Sequence, residues 1–267
     1  MTSGYYMKHF RVLPAYVRMS FQKMIEYKFN VLTNVVSVTV VSIVWIFFWS
    51  LLLGNVKEIG SWNVPALILL SGFIQLSYSL WQVLWYTIAF REDILTGKLD
   101  LYLVRPVHPL FGMVFRELQF FSILSAGVGA AIVAYAITTY YSVNVVNIAF
   151  ALFYCLIGVS FFHISYSIMN TSTFWFGRLR SPRSIMRSFE IISTYPIDIF
   201  NVLVQGFYTF FLPYAFLGTL PARAITTFTL SQNIFYALVG IGVITCWFLV
   251  FLFCWKKGLE RYESYGG

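Results

Sequence analysis

His163 and Asp198 are the residues whose chemistry stands out, because each ionisable side chain falls inside an otherwise apolar run. An ionisable group in hydrocarbon is costly, so it usually faces protein or water and serves an ion pathway or proton relay. Other chemistry has no constellation to carry it. The sequence holds no GxxxxGK[ST] phosphate loop, no HExxH, no GxSxG and no cluster of cysteine and histidine ligands. Its Gly97-Lys98 pair is followed by Leu99, where a phosphate loop needs a hydroxyl for magnesium. The chain is therefore not expected to bind and hydrolyse ATP by itself, and no paired groups point to another enzyme or to a bound metal.

Neutral polar side chains recur at helical spacing around these two residues. Ser71, Gln75, Tyr78, Ser79, Gln82 and Tyr86 share one face at ~100° per residue; Ser160, His163, Ser167 and Asn170 share another, as do Thr194, Asp198, Asn201, Gln205 and Thr209. In hydrocarbon such groups must be satisfied internally. One reading is helix-to-helix hydrogen bonding, at roughly 0.6–2 kcal/mol per bond. The other is a translocation path or an interface between two subunits, with Gln75, Ser79, Gln82, His163, Asp198, Asn201 and Gln205 as candidates. Ser122, Ala126, Ala130 and Ala134, flanked by Gly127 and Gly129, read as a small-residue packing ridge.

The elements that position these residues are membrane spans. The chain of 267 residues is 59% hydrophobic and only 10% charged, against about a quarter charged in soluble domains. Windows long enough for a helix to cross the bilayer, roughly 20 residues, fall at 29–53, 64–90, 118–141, 145–169, 191–217 and 231–255. The fifth is interrupted by Pro196, Asp198 and Pro213. Runs such as VVSVTVVSIVWIFFWSLLL do not alternate as barrel strands do, so the fold class is an all-α polytopic membrane protein of six spans. It forms a single transmembrane domain over 1–267. Cys155, Cys246 and Cys254 lie inside spans and suggest packing alone. Residues 1–28 lack the apolar stretch of a secretory signal, so the first span is expected to direct insertion.

Of the 18 lysines and arginines, all but Lys57 and Arg223 fall before span 1, between spans 2 and 3, between spans 4 and 5, or after span 6. The positive-inside rule places those segments and both termini in the cytoplasm. Insertion and anionic lipid account for the net charge of +8 without a nucleic-acid partner. Over 5–28, Tyr6, Phe10, Leu13, Val17, Phe21 and Met24 form an apolar stripe, with Lys8, Arg11 and Arg18 off it. That pattern predicts an amphipathic helix in the headgroup plane, with a bend at Pro14.

The cytoplasmic loop 91–110, REDILTGKLDLYLVRPVHPL, is polar and charged yet carries Ile94, Leu95, Leu99, Leu101 and Leu103. It predicts a short helix after Arg91, ended by Gly97. The run Glu92, Gly97-Lys98-Leu99-Asp100, Leu103-Val104-Arg105-Pro106 resembles the loop between the second and third helices of ABC-2 type permeases, in the branch related to daunorubicin-resistance permeases. The ending Gly258-Leu259-Glu260-Arg261-Tyr262-Glu263-Ser264 is similar to that branch's G-L-x-R-Y-x-S terminus.

The resemblance implies a type V exporter-like, non-catalytic membrane subunit of an ABC exporter in the cell (inner or plasma) membrane. It implies a connecting helix at 5–28 and an ATPase-coupling element at Glu92, Asp93, Ile94, Leu95, Gly97, Lys98, Leu99 and Asp100. Its partners would be two copies of an ABC ATP-binding subunit, holding ATP and magnesium, and a second permease, the same or homologous, within membrane lipid. It implies re-entrant outer helices in 212–230. A rival reading from the residues alone is a stand-alone ion- or proton-coupled carrier using His163 and Asp198.

Overall fold

The structure, a computed structural model, describes residues 2–54, 58–84, 87, 90–177 and 182–263, with side chains from residue 12 onward except 182–183. Lys57, Tyr86, Arg178, Arg180, Ser264 and the side chains of Tyr6, Lys8, Phe10 and Arg11 lie outside the described residues. The regular elements are helical; Ile59 and Trp62 form one isolated bridge in the loop between α2 and α3. In chain order the α-helices are α1 (Thr2–Glu26), α2 (Lys28–Leu52), α3 (Val64–Val83), α4 (Arg91–Leu95), α5 (Asp100–Leu103), α6 (Pro109–Phe115) and α7 (Phe121–Tyr140). They continue with α8 (Val145–Thr171), α9 (Thr173–Phe176), α10 (Pro182–Glu190), α11 (Val202–Gly206), α12 (Thr219–Thr226) and α13 (Leu230–Arg261).

Among the described residues, 5 helices are long and apolar enough to cross a membrane: α2, α3, α7, α13, and α8 continued through α9. The chain is a polytopic helical membrane protein. Side-chain caps begin three of these helices: Asn63 accepts from the Ala66 amide, Asn144 from the Val146 amide, and Thr229 pairs with Gln232 in a capping box. Pro14 is accommodated inside α1, and Tyr27 marks its junction with α2.

The ends of these helices define two faces. The Gln119 amide donates to the Val83 carbonyl, joining the end of α3 to the start of α7. Ser125 Oγ donates to Asn34 Oδ1 at 2.7 Å, adding the start of α2. Trp255 meets the rings of Phe90 and Phe174, adding the ends of α8–α9 and α13. This charged face carries Lys23, Arg91, Lys98, Arg105, Arg116, Arg187, Lys256, Lys257 and Arg261. The distal face has Glu58, Asp198 and Arg223 among its described charges.

The window 191–217, expected as a span, is not one helix. It contains 3-10 turns at Ile191–Thr194 and Ile197–Ile199, then α11, a π-helical turn at Phe207–Phe211 and a 3-10 turn at Tyr214–Leu217. The cause is proline, which disfavours helical geometry in the residue before it. Tyr195 (φ −107°, ψ 156°) and Leu212 (φ −107°, ψ 88°) are both driven out of the helical region.

The path of this segment follows from its contacts. Glu190 meets Tyr166 near the end of α8, Ser193 meets Tyr78 of α3, and Asp198 meets Trp62 just before α3 begins, so 190–198 runs from the charged side to the distal face. The chain then turns back. Phe211 O accepts from Trp247 Nε1, about 25 Å along α13 at ~1.5 Å per residue, and Leu217 O accepts from Ser77 Oγ. Through α12 it returns to the distal face, where Arg223 meets Asp198. The result is a hairpin over 202–226 whose tip, with Tyr214, Phe216 and Leu217, is fully buried in the main core.

The tightest helix pair is α3 against α7. A Cβ at Gly129 would lie 2.5 Å from the Leu76 backbone nitrogen, and one at Gly72 would lie 2.9 Å from Val133 Cγ2. The ridge in contact is Ser122, Ala126, Gly129, Val133 and Ala136, whereas Ala130 and Ala134 face outward. A strict four-residue step rotates about 40° per step around a helix, so alternating steps of four and three are needed to stay on one neighbour.

Candidate functional site

The loop expected to work at the cytoplasmic surface folds into a compact unit at the charged face. Glu92 and Asp93 occupy the first turn of α4, where carboxylates complement the helix N-terminus. Gly97 at φ 73° takes the left-handed conformation that reverses the chain, and α5 follows. Pro109 then starts α6. Phe90, Ile94, Leu99, Tyr102 and Met113 form a second core with Ile164 of α8 and with Phe251 and Trp255 of α13.

Arg116 binds this unit from below: its Nη1 donates to Tyr102 Oη at 2.5 Å and lies 3.5 Å from Asp93 Oδ2. Burial pushes the Asp93 carboxyl above its ordinary range, and Arg116 opposes that shift. The second motif used for the resemblance lands on the same unit. Gly258 lets α13 approach the Phe174 ring, Leu259 and Tyr262 pack on the second core, and Tyr262 lies beside Asp100.

The eight predicted coupling residues therefore separate. Asp93, Ile94 and Leu99 are buried; Leu95, Gly97 and Asp100 are partly covered; Glu92 and Lys98 are exposed. The exposed apolar surface lies just beyond them, at Leu101, Leu103 and Val104, the last 81% exposed.

The polar stripe of α3 opens on a groove between α2 and the 187–199 segment. Ser71, Gln75 and Tyr78 line it with Ser42 and Trp45 of α2 and with Thr194. Gln75 Nε2 donates to Ser79 Oγ at 2.7 Å; Ser79 is buried and Gln82 partly so. Tyr78 donates to Ser193, whose own hydroxyl donates to the Glu190 carbonyl.

His163 and Asp198 do not share a site. Thr87, beyond the end of α3, donates its hydroxyl to the Leu84 carbonyl and lies 2.7 Å from His163 Nδ1; Asn170 Nδ2 donates to the Thr87 carbonyl. His163 lines a cavity of about 470 Å³ with Phe90, Met113 and Phe251. Asp198 is instead at the distal face, so the 20-residue length of α3, about 30 Å, separates the two.

There Asp198 is held by groups that the sequence reading did not assign to it. Trp62 Nε1 donates to Oδ1 at 2.6 Å, Arg223 Nη2 lies 2.6 Å from Oδ2, and the guanidinium stacks 4.1 Å over the Trp62 ring. Arg223 also donates to Ser61 Oγ at 2.6 Å. A signal was available, because Arg223 is one of two cations outside the charged segments and an aspartate in apolar surroundings needs a partner. Asn201 caps α11 at the Val204 amide, and Gln205 donates to the Asp198 and Phe200 carbonyls. Both close the turns that replace the expected span.

Among the described residues no group of three or more His, Cys, Asp or Glu could hold a metal ion. The arrangement offers an anchored unit with an exposed apolar edge on one face and a groove with polar lining between α2 and the 187–199 segment. The sequence model of the family described as ABC-2 family transporter protein matches residues 39–266. No curated protein and no solved structure matches the chain.

Proposed function

Because the chain belongs to the ABC-2 family of transporter proteins, we propose that it is the permease subunit of an ATP-driven exporter in the cell membrane, with its charged face in the cytoplasm. Separate ABC subunits, two copies holding ATP and magnesium, supply hydrolysis, and a second permease of the same or a homologous chain completes the path. The observation that carries this reading is the unit at 90–104. Its buried side packs against α8 and α13 together, while Leu101, Leu103 and Val104 leave an exposed apolar patch. A partner pressing on that patch pushes on α8 and α13 together.

This reading moves the contact from Glu92–Asp100 toward Leu101–Val104, with Glu92 and Lys98 on its rim. The groove of Ser71, Gln75, Tyr78 and Thr194 supports a substrate path between two permeases. Purification of the chain with its associated proteins tests the assembly. A co-purifying ATPase is expected, and its loss in the Leu101→Asp, Val104→Asp double variant, with membrane insertion retained. Undiminished co-purification and permease-dependent ATPase activity in that variant sinks the docking assignment. Transport by the lone chain driven by a proton gradient sinks the exporter reading.

A further inference from the structure

Three cavities follow one another along the 187–199 segment, the first against α3 and α8 and the other two against α2, and their lining changes in order. Nearest the charged face, a chamber of about 320 Å³ is lined by Tyr78, Trp81, Tyr166, Arg187 and Glu190. The next, about 160 Å³, shares Tyr78 and Thr194 with the first and adds Val41, Trp45 and Ile74 among hydroxyls and the Gln75 amide. The third, about 200 Å³, lies toward the distal face between Phe48, Trp49, Leu52, Tyr195 and Ile199 and is apolar throughout. Between the second and third stand three rings in mutual contact: Trp45–Tyr195 at 5.9 Å, Trp49–Tyr195 at 6.0 Å and Trp45–Trp49 at 6.2 Å.

We propose that the first two chambers form one site for an amphipathic molecule with a polar head of no net charge, and that Trp45, Trp49 and Tyr195 close the way onward. The inference rests on the groove being the substrate path. Joined at Tyr78, the two chambers fall in the ~300–1,000 Å³ range of small-molecule sites. Among the described residues the head chamber is lined by one carboxylate and one guanidinium, Glu190 and Arg187, which balance in sign. Its hydroxyl protons are already committed: Ser193 gives its own to the Glu190 carbonyl and so accepts from Tyr78, and Tyr166 donates to Glu190 Oε1. Toward the chamber Tyr78 thus presents an acceptor and Arg187 a donor, which suits a head that both gives and takes hydrogen bonds. Val41, Trp45 and Ile74 provide the apolar continuation.

Such a head belongs equally to a zwitterionic bilayer lipid and to a neutral glycoside entering from water, and the test separates them. The intact chain in nanodiscs is irradiated with tail-diazirine forms of lysophosphatidylethanolamine, of hexyl glucoside and of hexyl phosphate, and crosslinks are mapped by mass spectrometry. Labelling of Val41–Trp45 and Ser71–Tyr78 by the lipid or the glucoside, lowered at least fivefold by Gln75→Leu, supports the site and identifies the source. Preference for the phosphate, or labelling unchanged by both Gln75→Leu and the milder Tyr78→Phe, overturns it. On α2, label confined to Val41–Trp45 in the parent chain and reaching Phe48–Leu52 in Trp45→Ala or Tyr195→Leu supports the ring closure; label beyond the rings in the parent overturns it. Labelling measures binding alone, so a labelled groove whose blockage leaves the ATPase-driven export untouched counts against the path reading and not against the site.

Discussion

Removing Arg223 should release the hairpin at its base. Arg223 is the only described cation at the distal face, and its side chain is 7% exposed against 33% for Asp198. Breaking a fully buried ion pair costs about 3–5 kcal/mol, because one charge is left without a partner. In Arg223→Met, Asp198 keeps the Trp62 bond and some water, so the expected loss is about 2–3 kcal/mol. In Asp198→Asn the stranded group is the deeply buried guanidinium, so the loss should be at least as large. The double variant strands neither charge and should lose less than the sum by roughly 1–3 kcal/mol. Equilibrium unfolding in mixed micelles, followed by circular dichroism rather than by the tryptophan that the guanidinium covers, measures all four corners of the cycle. Losses that add to within about 0.5 kcal/mol would refute the claim that these two side chains act as one clasp.

Gly129→Ile should cost about 1–3 kcal/mol by forcing α7 off Leu76, whereas Gly127→Ala, with nothing near its Cβ, should gain a few tenths to ~1 kcal/mol; the same unfolding assay compares them. The raised Asp93 pKa means that this group stabilises the fold below the ordinary carboxylate range and loses that contribution as pH rises through the raised value. Asp93→Asn should therefore leave stability at pH 7 within about 1 kcal/mol of the parent, and Arg116→Met should destabilise more at pH 7 than at pH 5, where protonation relieves the stranded carboxylate. Equal loss at the two pH values refutes that account. Gly258→Leu should separate α13 from Phe174 and weaken ATPase co-purification without touching the exposed patch, as read by the pull-down.

Much of the fold was legible because hydrophobic length alone specifies a span. The five continuous helices fall on the apolar windows. The fifth window shows the limit: mean apolarity survives two prolines, but hydrogen-bonded helix does not, and Asn201 and Gln205 became turn closures while Thr194 alone of its polar stripe lines the groove. The small-residue ridge was half right for a related reason, since spacing identifies a face only when the helical phase is followed to its end. The loop at 91–110 was singled out by its motif. Which of its residues are anchors and which are surface was hidden, because that depends on Phe251, Trp255 and Tyr262, some 160 residues downstream.

By itself the sequence determined that the chain crosses a membrane and which segments carry its charges, and it showed a loop and a tail that resemble one family. Those properties follow from composition and local spacing, which are additive along a chain. Only the tertiary structure decided that Asp198 and His163 stand about 30 Å apart, that Asp198 is neutralised by Arg223, and that the loop and tail motifs meet. A charge or an apolar face acquires its role from the neighbour that satisfies it, and in this bundle those neighbours come from distant parts of the chain.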